Sequence, residues 1–168
     1  MGRVPRGVVP DPPGPGQESV WDYPRPPVCR PSSALVVVEL DGVEVCRTTR
    51  AVQVLETSHP PSWYLPRDDW SDGALIAGVG SSFCEWKGTA TYLDVVGGRV
   101  ERAAAWTYLS PSPGFTTIAG HVAVYPDRTG RCTVDGELVR GQDGGFYGGW
   151  VTSAVVGPFK GSPGSWGW

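Results

Sequence analysis

The sequence predicts an all-β fold with few and short helices, and three observations carry that reading. Gly occupies 24 and Pro 17 of the 168 positions, too many helix-breaking residues for a bundle. Apolar and polar residues alternate over short runs separated by Gly, Asp-Gly or Pro, which is the period of half-buried antiparallel strands. Two pairs of such runs flank Asp41-Gly42 and Asp135-Gly136, and Asp-Gly favours the tight type I′ hairpin because both central residues of that turn need positive φ. Hydrophobic residues at 40%, with 8 Trp, 6 Tyr and 4 Phe, supply the apolar surface that folding requires.

Taken in chain order, residues 1–17 read as a disordered Pro/Gly-rich leader, with no apolar run of the kind a signal peptide carries. Residues 18–143 form the β-rich core domain. Within it, 35–40 and 43–46 make the first Asp-Gly hairpin, and an apolar strand over 52–55 leads to Glu56. Pro66 followed by Asp68 and Asp69 predicts a short helix over 66–70, since Pro suits the first turn and acidic residues its positive end. Runs 89–96 and 99–109 flank Gly97-Gly98 and predict a longer hairpin at the centre of the sheet. Its alternation puts Trp106 and Tyr108 on the face opposite to Ala105 and Thr107. A second short helix fits 113–118, and no third place for helix is expected. Runs 132–134 and 137–139 close the last hairpin. The segment 144–168 is rich in Gly but holds Phe146, Tyr147, Trp150, Phe159, Trp166 and Trp168; a flexible linker does not carry rings at that density, so this tail is expected to pack on the core.

Charge and cysteines narrow the function classes. The formal net charge is −3 with a pI near 5.3, and Lys and Arg are scattered, so the basic footprint of a nucleic-acid binder is missing. No apolar run approaches the roughly 18 residues of a membrane helix. Cys29, Cys46, Cys84 and Cys132 contain no CxxC pair and no Cys-His zinc spacing, so neither a metal nor another cofactor is expected. The chain reads as a cytoplasmic protein whose thiols stay reduced.

The candidate chemistry lies in two segments. Twelve of the 14 basic residues are Arg, and only Lys87 and Lys160 are Lys. An amine can change protonation state and act as acid, base or nucleophile where a guanidinium cannot, which singles out Lys87 in Cys84-Glu85-Trp86-Lys87-Gly88. A fully extended 83–87 would aim Cys84 and Lys87 apart; a turn near Gly88 would let them meet and let the ammonium favour a Cys84 thiolate. In Glu56-Thr57-Ser58-His59-Pro60-Pro61, Glu56 ends a strand and His59 precedes a Pro, as a site-loop residue with a proton-shuttling imidazole does. Packing alone is the commoner role for such a Cys84, and holding its turn accounts for His59 equally well. The expected arrangement has Glu56 and Lys87 as an ion pair at a pocket floor, with Cys84 beside it. Gly157-Pro158-Phe159-Lys160-Gly161 reads as tail-turn structure before it reads as an anion site.

The stretches LETSHPP (55–61), FCEWKG (83–88), AWTY (105–108), GHVAVYPDR (120–128), GGFYGGWVTS (144–153) and GPFKG (157–161) together resemble the bacterial and fungal domain-of-unknown-function family 427, in its longer actinobacterial form. The resemblance covers about residues 18–168. Its core motif is similar to Cys-x-aromatic-Lys-Gly, and this chain has Glu85-Trp86 where many members have Pro-Tyr. The resemblance implies a β-tent-like pair of antiparallel sheets, related in shape to methionine sulfoxide reductase B and to glutathione-dependent formaldehyde-activating enzymes. Those relatives commonly hold zinc with paired CxxC motifs absent here. A nucleotidyltransferase-like label also attaches to the family, without a carboxylate pair or phosphate loop in this sequence to support it.

Two functions of different class follow as expectations. The first is a small-molecule pocket, the site of an enzyme if Cys84, Lys87, Glu56 and His59 act chemically, with Trp106, Tyr108, Tyr64 and Trp86 as its aromatic walls. The second is a non-catalytic binding or interaction module that offers its aromatic tail to a partner.

Overall fold

The computed structural model describes residues 2–168. Strands dominate, and each follows from the local alternation. Glu18–Ser19 (β1) leads into a 3-10 turn over Val20–Asp22, capped by the Ser19 hydroxyl, which accepts from the Trp21 amide. Val28–Pro31 (β2), Val36–Leu40 (β3), Val43–Thr48 (β4), Val52–Leu55 (β5) and Ser62–Tyr64 (β6) follow. After a 3-10 turn at Arg67–Asp69 come the three longest strands, Leu75–Cys84 (β7), Gly88–Val96 (β8) and Val100–Thr107 (β9). A 3-10 turn at Thr116–Ile118, Val122–Val124 (β10) and one α-helical turn at Pro126–Thr129 (α1) precede Arg131–Val134 (β11), Glu137–Leu138 (β12), Arg140–Gly141 (β13), Trp150–Val151 (β14) and Val155–Val156 (β15).

These strands form antiparallel sheets in the orders β10-β9-β8-β7, β12-β11-β3-β4 and β2-β5-β6, with an antiparallel ribbon β13-β14 and a parallel ribbon β1-β15. The all-β class expected from the sequence is the observed one. Leu65 and Val122 exchange both main-chain hydrogen bonds, at 2.9 and 2.8 Å, so the β2-β5-β6 sheet meets the β10 edge of the long sheet.

Both Asp-Gly hairpins adopt the expected turn. Asp41 and Gly42 have φ of 52° and 78°, and Asp135 and Gly136 of 47° and 81°, the left-handed pair that a type I′ turn demands. Gly97-Gly98 serves a different purpose. A Cβ on Gly97 would come within 2.7 Å of the Leu40 carbonyl oxygen, and one on Gly98 would overlap the Asp41 main chain; these glycines let the β8–β9 turn lie against the β3–β4 turn. The hairpin β8–β9 occupies the centre of its sheet. Its alternation feeds two cores, with Ala105 in one beside Val36, Val38, Leu40 and Val124, and Trp106 and Tyr108 in the other beside Val52, Val54 and Ile118.

The helix expectation needs one correction. The turns at Arg67–Asp69 and Thr116–Ile118 fall where predicted, but Val20–Asp22 and Pro126–Thr129 are additional. The signal for α1 was present: Pro126 at the first position, Asp127 in the first turn, and Gly130 at φ 99° to end it.

The two ends of the chain run along the body. Residues 2–17, read from the sequence as a disordered leader, carry no helix or strand. They are nevertheless tied down where the Asp11 amide donates to the Gly157 carbonyl (2.8 Å) and the Gly2 amide to the Thr57 hydroxyl (3.1 Å), and Val8 packs beside Trp21 and Leu55. In the tail, Trp150 is buried, stacks on Trp63 with centroids 5.9 Å apart, and donates its indole N–H to the Val124 carbonyl. Phe146 and Trp166 instead stay 67% and 61% exposed, so not every tail ring covers the sheet.

Candidate functional site

A cavity of about 480 Å³ opens between the β5–β6 loop, the β7–β8 turn, the end of β9 and the tail. All eight residues singled out from the sequence line it: Glu56, His59, Tyr64, Cys84, Trp86, Lys87, Trp106 and Tyr108.

The turn between β7 and β8 creates the arrangement that an extended strand could not. Cys84 pairs with Gly88 across a three-residue connection, Glu85 to Lys87, and Gly88 takes φ 98°, which favours Gly. The Lys87 carbonyl accepts from the Ser112 amide at 3.0 Å, pinning the turn to the loop before the 3-10 segment. Cys84 and Lys87 therefore reach the same cavity, both half-buried.

Lys87 does not pair with Glu56, contrary to the expectation. Glu56 faces Arg25, whose Nε lies 3.4 Å from Oε1 while its Nη2 donates to the Thr57 carbonyl at 2.8 Å. Arg25 comes from the segment before β2, far from Glu56 in sequence, and it reaches the carboxylate that the sequence reading left for Lys87. Among the described residues no carboxylate lies within ion-pair distance of Lys87. Its Nζ instead sits 5.9 and 5.7 Å from the ring centroids of Tyr64 and Tyr108, where the ring faces attract a cation.

The aromatic wall is a connected set. Trp106 donates its indole N–H to the Tyr64 hydroxyl at 3.2 Å, meets that ring edge-on, and lies 4.6 Å from the Tyr125 centroid. Burial pushes the Tyr64 and Tyr108 hydroxyls above the ordinary tyrosine range, so both stay protonated. Gly148 passes so close over Trp106 that any Cβ there would collide with the indole, which fixes the tail against the wall.

His59 is held as a neutral donor. The Gly149 amide donates to Gln142 Oε1 (3.1 Å), which identifies the other amide atom as the nitrogen. That nitrogen donates to the Lys160 carbonyl (2.7 Å) and to His59 Nδ1 (3.0 Å). With Nδ1 accepting, the proton of the neutral ring resides on Nε2. Burial, followed by the charges of Lys160, Arg25 and Lys87, depresses the imidazole to about 3, so it remains uncharged at neutral pH. Tyr147 packs edge-on against it at 4.8 Å.

Sequence reasoning missed Arg25, Gln142 and Tyr125, and it set Lys160 aside as tail structure. Lys160 lines the cavity, its Nζ 5.7 Å from the Tyr147 centroid and donating to the main-chain oxygen of Trp168. Burial and the charge of Arg25 lower it from the usual lysine value. One available signal was its rarity, since both lysines of the chain line this cavity. Arg25 and Gln142 carried no local signal. No group of three or more His, Cys, Asp or Glu suited to a metal occurs among the described residues.

No curated protein matches the chain. The profile of a domain of unknown function, DUF427, matches residues 28–136. That span contains the eight cavity residues named from the sequence, while Gln142, Tyr147 and Lys160 line the cavity from outside it and Arg25 holds Glu56 from behind. The matched span covers well over half of the protein, and the chain belongs to the DUF427 family.

Proposed function

We propose that the protein binds a small organic molecule with a planar ring in the cavity between β5, the β7–β8 turn and the tail. The single observation that carries this is the convergence of an aromatic wall (Tyr64, Trp106, Tyr108, Tyr125) with unspent polar groups (Lys87 Nζ, His59 Nε2, Cys84 Sγ) in one cavity of about 480 Å³. Ligand sites combine apolar walls with a few convergent polar groups in this way, and 480 Å³ lies within their usual size range. The exposed rings Phe83 and Phe146 border this same cavity, which favours a ligand site over a separate partner-binding face. If the site turns over its ligand, Cys84 or Lys87 supplies the nucleophile, and Glu56 or neutral His59 handles protons. The nucleotidyltransferase-like label draws no support from the donor set: of the two lining carboxylates, Glu56 is engaged by Arg25 and Glu85 is exposed at the turn.

The indole N–H signals provide the test. Trp106 reports on the cavity through its bond to Tyr64, whereas Trp150, bonded to Val124 in the closed core, serves as internal control. Titration with the neutral ring probe 2-naphthalenemethanol should move the Trp106 and Trp86 resonances and leave Trp150 in place. Unmoved Trp106 and Trp86 signals at millimolar probe would overturn the reading.

A further inference from the structure

We infer that the ligand of this cavity carries an anionic group, a carboxylate or a phosphate, seated between Lys87, Lys160 and the Nε2–H of His59, with its ring against Trp106 and Tyr125. The inference rests on the cavity reading above and narrows it to a chemical class.

Three observations converge on it. First, the protein is acidic overall, with net charge −3, yet Lys87, Lys160 and Arg25 gather around His59, closely enough that all three charges oppose its protonation. Among the described residues lining the cavity, Glu56 and Glu85 alone oppose them, and Glu56 is taken by Arg25. Local charge is thus opposite in sign to the whole, and a cavity with low-dielectric walls focuses such a field on what enters.

Second, Lys87 and His59 hold unspent donors at this end, while Lys160 gives one of its three to the Trp168 main-chain oxygen. Lys87 Nζ has no carboxylate within ion-pair distance among the described residues and no hydrogen-bond partner there beyond the two ring faces. The Gln142 bond fixes His59 as a donor on Nε2. A half-buried ammonium without a counter-ion is costly to keep, and an anion arriving with the ligand removes that cost.

Third, the chain uses Arg at 12 positions and Lys only at the two that line the cavity. A guanidinium is a broad plate with five donors in a fixed fork, whereas an ammonium is a compact charge with three rotatable donors. The compact group leaves room for a ring beside it, which Lys87 needs because it already stands over Tyr64 and Tyr108.

The experiment compares isosteric probes on the intact chain by calorimetry, with the Trp106 and Trp150 indole signals as site report: 2-naphthoate, 2-naphthyl phosphate, neutral 2-naphthalenemethanol and cationic 2-naphthylmethylammonium. The expected result is that naphthoate or naphthyl phosphate binds roughly tenfold tighter than the neutral probe, the gain typical of one charge-assisted hydrogen bond. The tighter of the two identifies the anion. Lys87→Met and Lys160→Met should each weaken the anionic probe more than the neutral one and so remove most of that preference, and Lys87→Arg should retain part of it. If Lys87→Met fails to fold, the ranking of probes on the unaltered protein still decides. Equal binding of anionic and neutral probes, or tightest binding of the ammonium, overturns the anion seat and leaves the cavity reading standing. Binding of none of them overturns both.

Discussion

Cys46 and Cys132 flank Val38 from the two strands on either side of it, each only 1% exposed, and burial pushes both thiols up to about 12. Cys29 and Cys84, the other two free thiols, are half-buried beside the aromatic cavity. The same side chain thus occupies two environments in one small protein. The closed region is built by alternation on paired strands, where Val36, Val38 and Leu40 point one way into a core shared with Trp63 and Trp150. The open region is built by turns and by the tail, which leave a space instead of filling it. The first is where the packing is closed, and the second is where the proposed ligand chemistry would take place.

Truncating one side chain in each region should test that contrast most strongly. Leu40, fully buried between the hairpins, should cost about 3 kcal/mol when changed to Ala, the usual loss for a leucine whose cavity cannot collapse. Phe146→Ala, at the exposed rim, should stay within about 0.5 kcal/mol. Urea denaturation measures both, and similar losses would show the tail rim to be part of the structural core.

A smaller contrast is expected in thiol reactivity. With iodoacetamide near pH 7.5, Cys46 and Cys132 should alkylate on the order of 100-fold slower than Cys84, because burial removes both access and thiolate. Cys29 should fall between, since burial raises its thiol while the charge of Lys87 partly offsets that rise. Lys87→Met should therefore slow Cys29 by roughly two- to threefold and leave Cys46 and Cys132 unchanged. Peptide mass spectrometry resolves the four rates; four similar rates would erase the division.

A further expected effect concerns pH. The imidazole of the unfolded chain takes up a proton below about 6.5, whereas that of folded His59 resists until about 3. The unfolded state therefore binds more protons in that window, and the contribution of His59 to stability is complete above 6.5 and lost as pH falls toward 3. Melting temperatures measured from pH 4 to 7 should fall less steeply on acidification for His59→Gln than for the unaltered chain. Parallel curves would mean that the ring is as well solvated in the folded state as in the unfolded.

By itself the sequence determined what short-range chemistry determines. Asp41-Gly42 and Asp135-Gly136 dictate their turns because the required φ values belong to the dipeptide. The alternation over 105–108 dictates which residues share a face because strand geometry has a period of two, whereas the bulge at Ala103 (φ 51°) puts the neighbours Ala104 and Ala105 in one core. Rarity and local motif singled out Cys84, Lys87, Glu56 and His59 as candidates, and all four line the cavity. Partnership was decided only in three dimensions. Glu56 pairs with Arg25, from a segment far away in sequence, and Gln142, just before the tail, sets the tautomer of His59. Even Gly97-Gly98, legible as a turn, owes its glycines to Leu40 and Asp41 of another hairpin. Charges and hydrogen bonds act through space over a few ångströms, and the chain brings distant segments within that range only when its sheets pack, so no local window of sequence contains the partner.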